Sequence, residues 1–212
     1  MQNSRKHNKK SIRSFVKRSG RLTKSQKNAL QDYSSNYILD TNNTNTDLKA
    51  CFDSDQHNLV IEIGFGDGAA LIESALKYPD KNFIGIEVYD SGLGQCLNAI
   101  NQHKIKNIRL IYGDAVEVLE QFITKQSVEK INILFPDPWP KKRHRKRRLI
   151  NKGFLALLSK SLKNKGIVNV STDWEDYAQQ IELTFKENNQ FTEIKSESRG
   201  LKTKFEKKGI KL

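Results

Sequence analysis

From Asn58 onward the chain alternates short apolar runs with stretches of helical periodicity. Leu59-Val60-Ile61-Glu62-Ile63 is an apolar run stopped by Gly64. Further runs at 83–88, 108–112, 131–135 and 167–170 have the length and aliphatic content of buried strands, with 191–195 as a weak sixth. Between them, 69–78 (closed by Pro79), 92–103, 115–123, 151–162 and 174–188 read as helices. In 115–123 the apolar positions Val116, Leu119 and Phe122 recur every third residue and share a face. Strands alternating with helices of this length predict right-handed crossovers and a mainly parallel α/β sheet.

Before Asn58 the pattern changes. Residues 1–30 show no strand pattern and hold ten Lys/Arg with no acid; Ser14-Phe15-Val16-Lys17-Arg18-Ser19-Gly20-Arg21-Leu22 sets a few apolar anchors among the cations. This reads as a mobile basic arm that orders on a partner, the plain alternative being a disordered tail. Residues 33–39 read as semi-ordered, and 40–47 as a polar linker. The expected organisation is an arm and linker over 1–57 and one domain over 58–212.

At 212 residues the chain can bury about 70% of its unfolded surface and needs no staples. Cys51 and Cys96 form no disulfide framework, and His7, His57, His103 and His144 are scattered, so no protein metal cage is expected. There is no apolar run of the ~20 residues that span a bilayer, and no signal-peptide core. The expectation is a cytoplasmic protein with no membrane partner, monomer or homodimer.

Charge sharpens this picture. The net charge is +13, yet it is concentrated in the N-terminal arm, in residues 141–148 (seven Lys/Arg in eight) and in 195–212 (seven Lys/Arg, two Glu); the remainder is net acidic. Three basic segments on an acidic body are the footprint of a polyanion partner. The middle segment is the most informative. Phe135-Pro136-Asp137-Pro138-Trp139-Pro140 ends the fourth expected strand and runs directly into Lys141-Lys142-Arg143-His144-Arg145-Lys146-Arg147-Arg148. A carboxylate beside an indole can hold a flat heterocycle, and the cations can hold a phosphate backbone. Trp139 either stacks on such a base or simply packs against the sheet.

The other end of the expected site is Glu62-Ile63-Gly64-Phe65-Gly66-Asp67-Gly68, between the first strand and the first helix. Alternate glycines let the backbone turn tightly and approach a ligand. Glu87 closes the next strand, at the distance expected of a carboxylate that binds ribose hydroxyls. A dinucleotide site prefers G-x-G-x-x-G and puts a pyrophosphate at the helix N-terminus. Here Glu62 and Asp67 crowd the loop with negative charge, which favours a cation such as S-adenosylmethionine. Asp114, just after the third strand, suits an adenine edge. Gly64, Gly66, Gly68, Glu87, Asp114, Asp137 and Asp173 all fall just after strands and should share one rim, although Asp173 is also a candidate helix N-cap.

These residues resemble the bacterial tRNA (guanine-N7-)-methyltransferase family. The resemblance rests on Ser14 to Thr23, Ile61-Glu62-Ile63-Gly64-Phe65-Gly66, Phe83-Ile84-Gly85-Ile86-Glu87-Val88, the Phe135 to Arg148 junction, Ser171-Thr172-Asp173-Trp174-Glu175-Asp176-Tyr177-Ala178, and Thr203-Lys204-Phe205-Glu206. It implies a Rossmann-like, doubly wound class I fold and methyl transfer from S-adenosylmethionine to N7 of the variable-loop guanine of tRNA. Carried over by motif, Glu62, Gly64, Gly66, Gly68, Glu87, Asp114 and Asp137 bind the cofactor, with Asp137 also catalytic. Lys141, Asp173, Thr203, Lys204, Phe205 and Glu206 contact the guanosine, and Arg143, His144, Arg145, Lys146, Arg147 and Arg148 touch RNA. Similar proteins continue beyond the last motif into a final strand, whereas this sequence stops at Leu212; the closing antiparallel strand is therefore the one element of the fold in question. Alternatives from the residues alone are an N6-adenine-type RNA methyltransferase, because Asp-Pro-Trp-Pro resembles Asp-Pro-Pro-Trp, and an RNA-binding module with a dead cofactor pocket.

Overall fold

The computed structural model describes residues 12–16, 20–41, 48, 50–52 and 58–194. Five parallel strands, β1 (Leu59–Ile63), β2 (Asn82–Glu87), β3 (Ile108–Tyr112), β4 (Val128–Leu134) and β5 (Leu162–Ser171), pair in the order β3-β2-β1-β4-β5. Helices α1 (Lys24–Tyr37), α2 (Ala69–Lys77), α3 (Asp90–His103), α4 (Ala115–Gln121), α5 (Lys152–Ser161) and α6 (Glu175–Lys186) cover the sheet, and a 3-10 helix spans Lys142–Arg147.

The central strands are buried on both faces, as parallel strands between helical layers must be. On one face Val60, Phe83, Ile108 and Leu110 meet Leu71, Leu93, Leu97, Ile100 and Ala29 of the α1–α2–α3 layer. On the other, Ile61, Ile63, Ile84, Ile86, Ile131 and Ile133 meet Leu119, Leu155, Leu158, Tyr177 and Ile181 of α4, α5 and α6. Fully burying each such side chain is worth about 1.5–3 kcal/mol, which explains why period-2 alternation gives way to continuous aliphatic runs.

Two expectations change. Residues 24–37, half of them within the stretch expected to be a mobile arm, form α1. Thr23 and Gln26 make a reciprocal capping box (Gln26 N to Thr23 Oγ1 3.2 Å; Thr23 N to Gln26 Oε1 2.9 Å). Ala29, Leu30, Tyr33 and Tyr37 then dock on α3. Beyond α1, Leu39 donates to Leu110 O at 2.8 Å and so covers part of the β3 edge. The weak sixth strand is the second change: residues 191–194 carry no strand, and Phe191 folds back edge-on against Phe185 of α6, with ring centroids 5.3 Å apart. Lys195, the 42–47 part of the linker, and Thr203 to Glu206 lie outside the described residues.

Because all five strands are parallel, their carboxyl ends share one edge. Strand order reverses direction between β1 and β4, so the Gly64–Gly68 turn and the Phe135–Pro140 turn stand on either side of the switch point at which open α/β sheets bind ligands.

Candidate active site

The glycine turn is built around one carboxylate. Gly64, Gly66 and Gly68 all take left-handed φ (69°, 61° and 82°). This conformation turns the Gly66 N–H toward Glu87, whose Oε2 accepts it at 2.9 Å. Glu87 Oε1 accepts from Val88 N (2.7 Å) and Tyr89 N (3.2 Å). Gly92, at the start of α3, closes the turn from behind: a Cβ there would lie 2.2 Å from the Gly66 carbonyl oxygen. A glycine inside a helix costs about 1 kcal/mol relative to alanine, and this close approach is its reason.

Glu87 is buried, and burial is the largest influence on its carboxyl, raising its pKa; the three backbone donors oppose this, and the charge of Asp137 adds to it. The strand-two and strand-four carboxylates therefore share one electrostatic environment. Beside Glu87 a cleft of about 590 Å³ lies between the glycine turn and helices α1, α2 and α3, lined by Gly66, Asp67, Ile72, Glu87, Tyr89, Gln95 and Gln26 among others. Its size lies in the range of small-molecule sites. Glu62 is not on its wall. It sits 3% exposed within β1, between Gly85 and Asn132 in register, and its charge reaches Cys96, whose buried thiol is pushed far up by burial first and by Glu62 and Asp67 next.

Asp114 follows β3 as the N-cap of α4, its Oδ1 accepting from Val116 N at 2.9 Å. Asp137 is exposed in the turn after β4. That turn is strained: Phe135 and Trp139 both take positive φ (53° and 45°), which non-glycine residues avoid. Asp173 is exposed after β5 and does not cap α6, whose N-cap is Trp174.

The basic run leaves the Asp137 turn as the 3-10 helix Lys142–Arg147. In this geometry residues three apart share a side, and that sorts the cations. His144 and Arg147 both meet Trp139, the first edge-on (ring centroids 5.7 Å, 89°) and the second over the ring at 5.1 Å. Trp139 thus packs against the basic helix. Arg145 and Arg148 both reach Asp176, at 2.9 and 2.5 Å. Arg143 and Lys146 are exposed, as are Lys141 and Lys142. One expectation is corrected here: Arg148 does not belong to an RNA-facing surface, since it is 3% exposed and its guanidinium is held inside the protein.

Several residues of this region escaped the sequence reading. Gln26 and Tyr89 line the cleft, and Gln26 Nε2 also donates to Ser91 O at 3.2 Å. The Thr-x-x-Gln spacing at 23–26 and the two glycines of 92–94 inside a helical pattern were the available signals.

A parallel sheet with a glycine turn after β1, a buried acid closing β2 and further carboxylates after β3 and β4 is the Rossmann-like architecture of class I methyltransferases. A solved precorrin-6y C5,15-methyltransferase from Geobacter metallireducens shares the fold, with TM-score 0.50 at 15% identity over 61% of this chain and 62% of that one. The sequence relationship is closer. A family model described as a putative methyltransferase matches residues 56–212. The tRNA (guanine-N(7)-)-methyltransferase of Nitrosococcus oceani is 41% identical over 93% of this chain and 85% of that protein. The one from Francisella philomiragia is 39% identical over 100% of this chain and 95% of that protein. The chain belongs to the tRNA (guanine-N(7)-)-methyltransferase family.

Proposed function

We propose that this protein transfers a methyl group from S-adenosylmethionine to N7 of the variable-loop guanine of tRNA, acting in the cytoplasm. One observation carries the reading: a single strand-end edge holds both a cleft walled by Glu87 and part of the glycine turn and, within electrostatic reach of Glu87, a strained Asp137 turn that continues directly into a cationic helix.

The donor suits this cleft. A carboxylate offers about four lone-pair sites, and three on Glu87 are already used, which leaves capacity for a ribose hydroxyl. Glu62 and Asp67 bring negative charge to the glycine turn, as the sulfonium and ammonium of the donor require. Asp114 uses Oδ1 for its helix cap and keeps Oδ2 for an adenine amine. When bound, S-adenosylmethionine supplies an electrophilic methyl carbon on a positively charged sulfur.

Guanine N7 carries a free lone pair, so no proton has to be removed before transfer. The base becomes cationic as its N7–C bond forms and the C–S bond breaks. Asp137 answers that change as an orienter and charge stabiliser, not as a general base. Lys141 and Asp173, which flank the rim, contact the guanosine. Arg143, Arg145 and Lys146 hold phosphates and offset the few kcal/mol needed to expose a stacked base. Among the described residues no helix is long and apolar enough to cross a membrane, and no group of three His/Cys/Asp/Glu could hold a metal ion.

The test is direct: incubate the protein with methyl-labelled donor and unmodified tRNA, then map the modified nucleoside. The expected product is 7-methylguanosine in the variable loop; N6-methyladenosine in its place would overturn the assignment.

A further inference from the structure

Among the described residues Arg148 is the only buried arginine or lysine, and each of its three guanidinium nitrogens donates a hydrogen bond. Nε donates to the Pro138 carbonyl oxygen at 2.8 Å, Nη1 to Gln180 Oε1 at 2.7 Å and Nη2 to Asp176 Oδ2 at 2.5 Å, while the guanidinium lies over the Tyr177 ring at 4.8 Å. Burying a cation costs several kcal/mol unless it is paired and hydrogen-bonded, so this arrangement is built rather than incidental.

The partners are informative. Asp176, Tyr177 and Gln180 lie on one side of α6, and the same side holds the neighbouring backbone: Ile150 N donates to Tyr177 Oη at 3.0 Å, and Gln180 Nε2 donates to Ile150 O at 3.1 Å. Burial keeps the Tyr177 hydroxyl protonated, its pKa pushed up to about 12. α6 therefore fixes residues 148–150, and Arg148 extends that fixed frame to one atom outside it, the carbonyl of Pro138. Pro138 stands between Asp137 and Trp139, in a turn whose ends take positive φ at Phe135 and Trp139. A strained turn persists only where its surroundings hold it.

We infer that Arg148, clamped by Asp176 of α6, is a positioning residue that sets the Asp137–Trp139 turn for methyl transfer. This rests on the reading of Asp137 given above. Asp176 also pairs with Arg145 at 2.9 Å, so the frame that orients the turn is continuous with the cationic helix.

The experiment uses the full chain with Arg148→Lys and Asp176→Asn. Lysine keeps the charge but lacks the planar fork that serves three acceptors at once. Steady-state rates are measured with tRNA and S-adenosylmethionine, together with melting temperature. The emission of Trp139 is read in a Trp174→Phe background, where it is the sole tryptophan. A turn misplaced by about 1 Å can cost up to about a hundredfold, so Arg148→Lys is expected to lower kcat about ten- to a hundredfold. The KM for tRNA is expected to stay within about threefold, and Trp139 emission to shift in the folded protein. If Arg148→Lys does not fold, the same pattern is expected of Asp176→Asn, an isosteric change at a partly exposed site. A folded variant with wild-type kcat and unshifted Trp139 emission overturns the inference, as does a loss confined to the KM for tRNA. Asp137→Ala separates the two levels: full activity there sinks the role of Asp137, whereas an inactive Asp137→Ala beside a fully active Arg148→Lys sinks only the clamp.

Discussion

Trp139 donates its indole N–H to the carbonyl oxygen of Ser14 at 2.9 Å across a sequence separation of 125 residues. Tyr89 does the same from the other side of β1, its hydroxyl donating to Val16 O at 3.0 Å. The Ser14–Val16 stretch thus joins side chains from the turns after β2 and β4, over the edge that holds the glycine turn between them.

Each of these bonds should contribute about 0.5–1.5 kcal/mol. Combining Tyr89→Phe with Trp139→Phe is expected to release the segment and raise tryptic cleavage after Arg13 by about tenfold or more where cleavage follows the open population. Timed digestion followed by intact-mass analysis checks this. Unchanged cleavage would mean that something other than these two donors holds the segment.

Asp137→Ala is expected to abolish turnover while tRNA affinity, carried by the cationic helix, survives. Losing one preorganised electrostatic stabiliser typically costs about 10²–10³ in kcat. Single-turnover rates with saturating donor, alongside filter binding of tRNA, separate the two effects. Substantial turnover would leave Asp137 outside the chemistry.

The sorting of the cations predicts unequal contributions to RNA binding. Arg143 and Lys146 are exposed; Arg145 is exposed too but shares its charge with Asp176, and Arg147 covers Trp139. Arg143→Gln with Lys146→Gln should reduce the slope of log affinity against log salt by about two, near one for each phosphate that is no longer neutralised. Arg148→Lys should leave the slope unchanged, because that side chain is withdrawn from the surface. A titration of tRNA affinity between about 50 and 200 mM salt distinguishes them.

The parallel sheet was legible because buried strands have no polar face to blur the signal, and β1 and β3 fall at the expected residues. The strand-end positions of Glu87, Asp114, Asp137 and Asp173 followed from it. What was not legible is what depends on tertiary partners. Arg148 looks like the last member of a surface run, and only the acceptors on α6 and at Pro138 draw it inside. α1 hides in a stretch rich in lysine and serine, because its helix rests on a capping box and on docking at Gly94, where a Cβ would come within 2.8 Å of Gln26 O. The fold of 191–194 was misread because an Ile/Phe/Thr-rich segment signals a strand only if an edge accepts it, and Phe191 packs on Phe185 instead.

Glu87 yields the pH prediction. Its carboxyl is raised above the ordinary range chiefly by burial, so between that range and its own pKa the folded protein holds a proton that the unfolded chain has shed. The contribution of Glu87 to stability is therefore full below the ordinary range and falls as pH rises through that window. Donor binding has the opposite sign. A ribose hydroxyl needs the ionised carboxylate as acceptor, so binding favours the charged form and releases the proton. Affinity for S-adenosylmethionine should rise with pH across the same window and level off above it. Calorimetry at a series of pH values, in buffers of differing ionisation enthalpy, reads both the affinity and the proton release. Glu87→Gln should bind weakly with neither trend, and a wild-type affinity that stays flat through the acid range would show that the ionised Glu87 does not hold the donor.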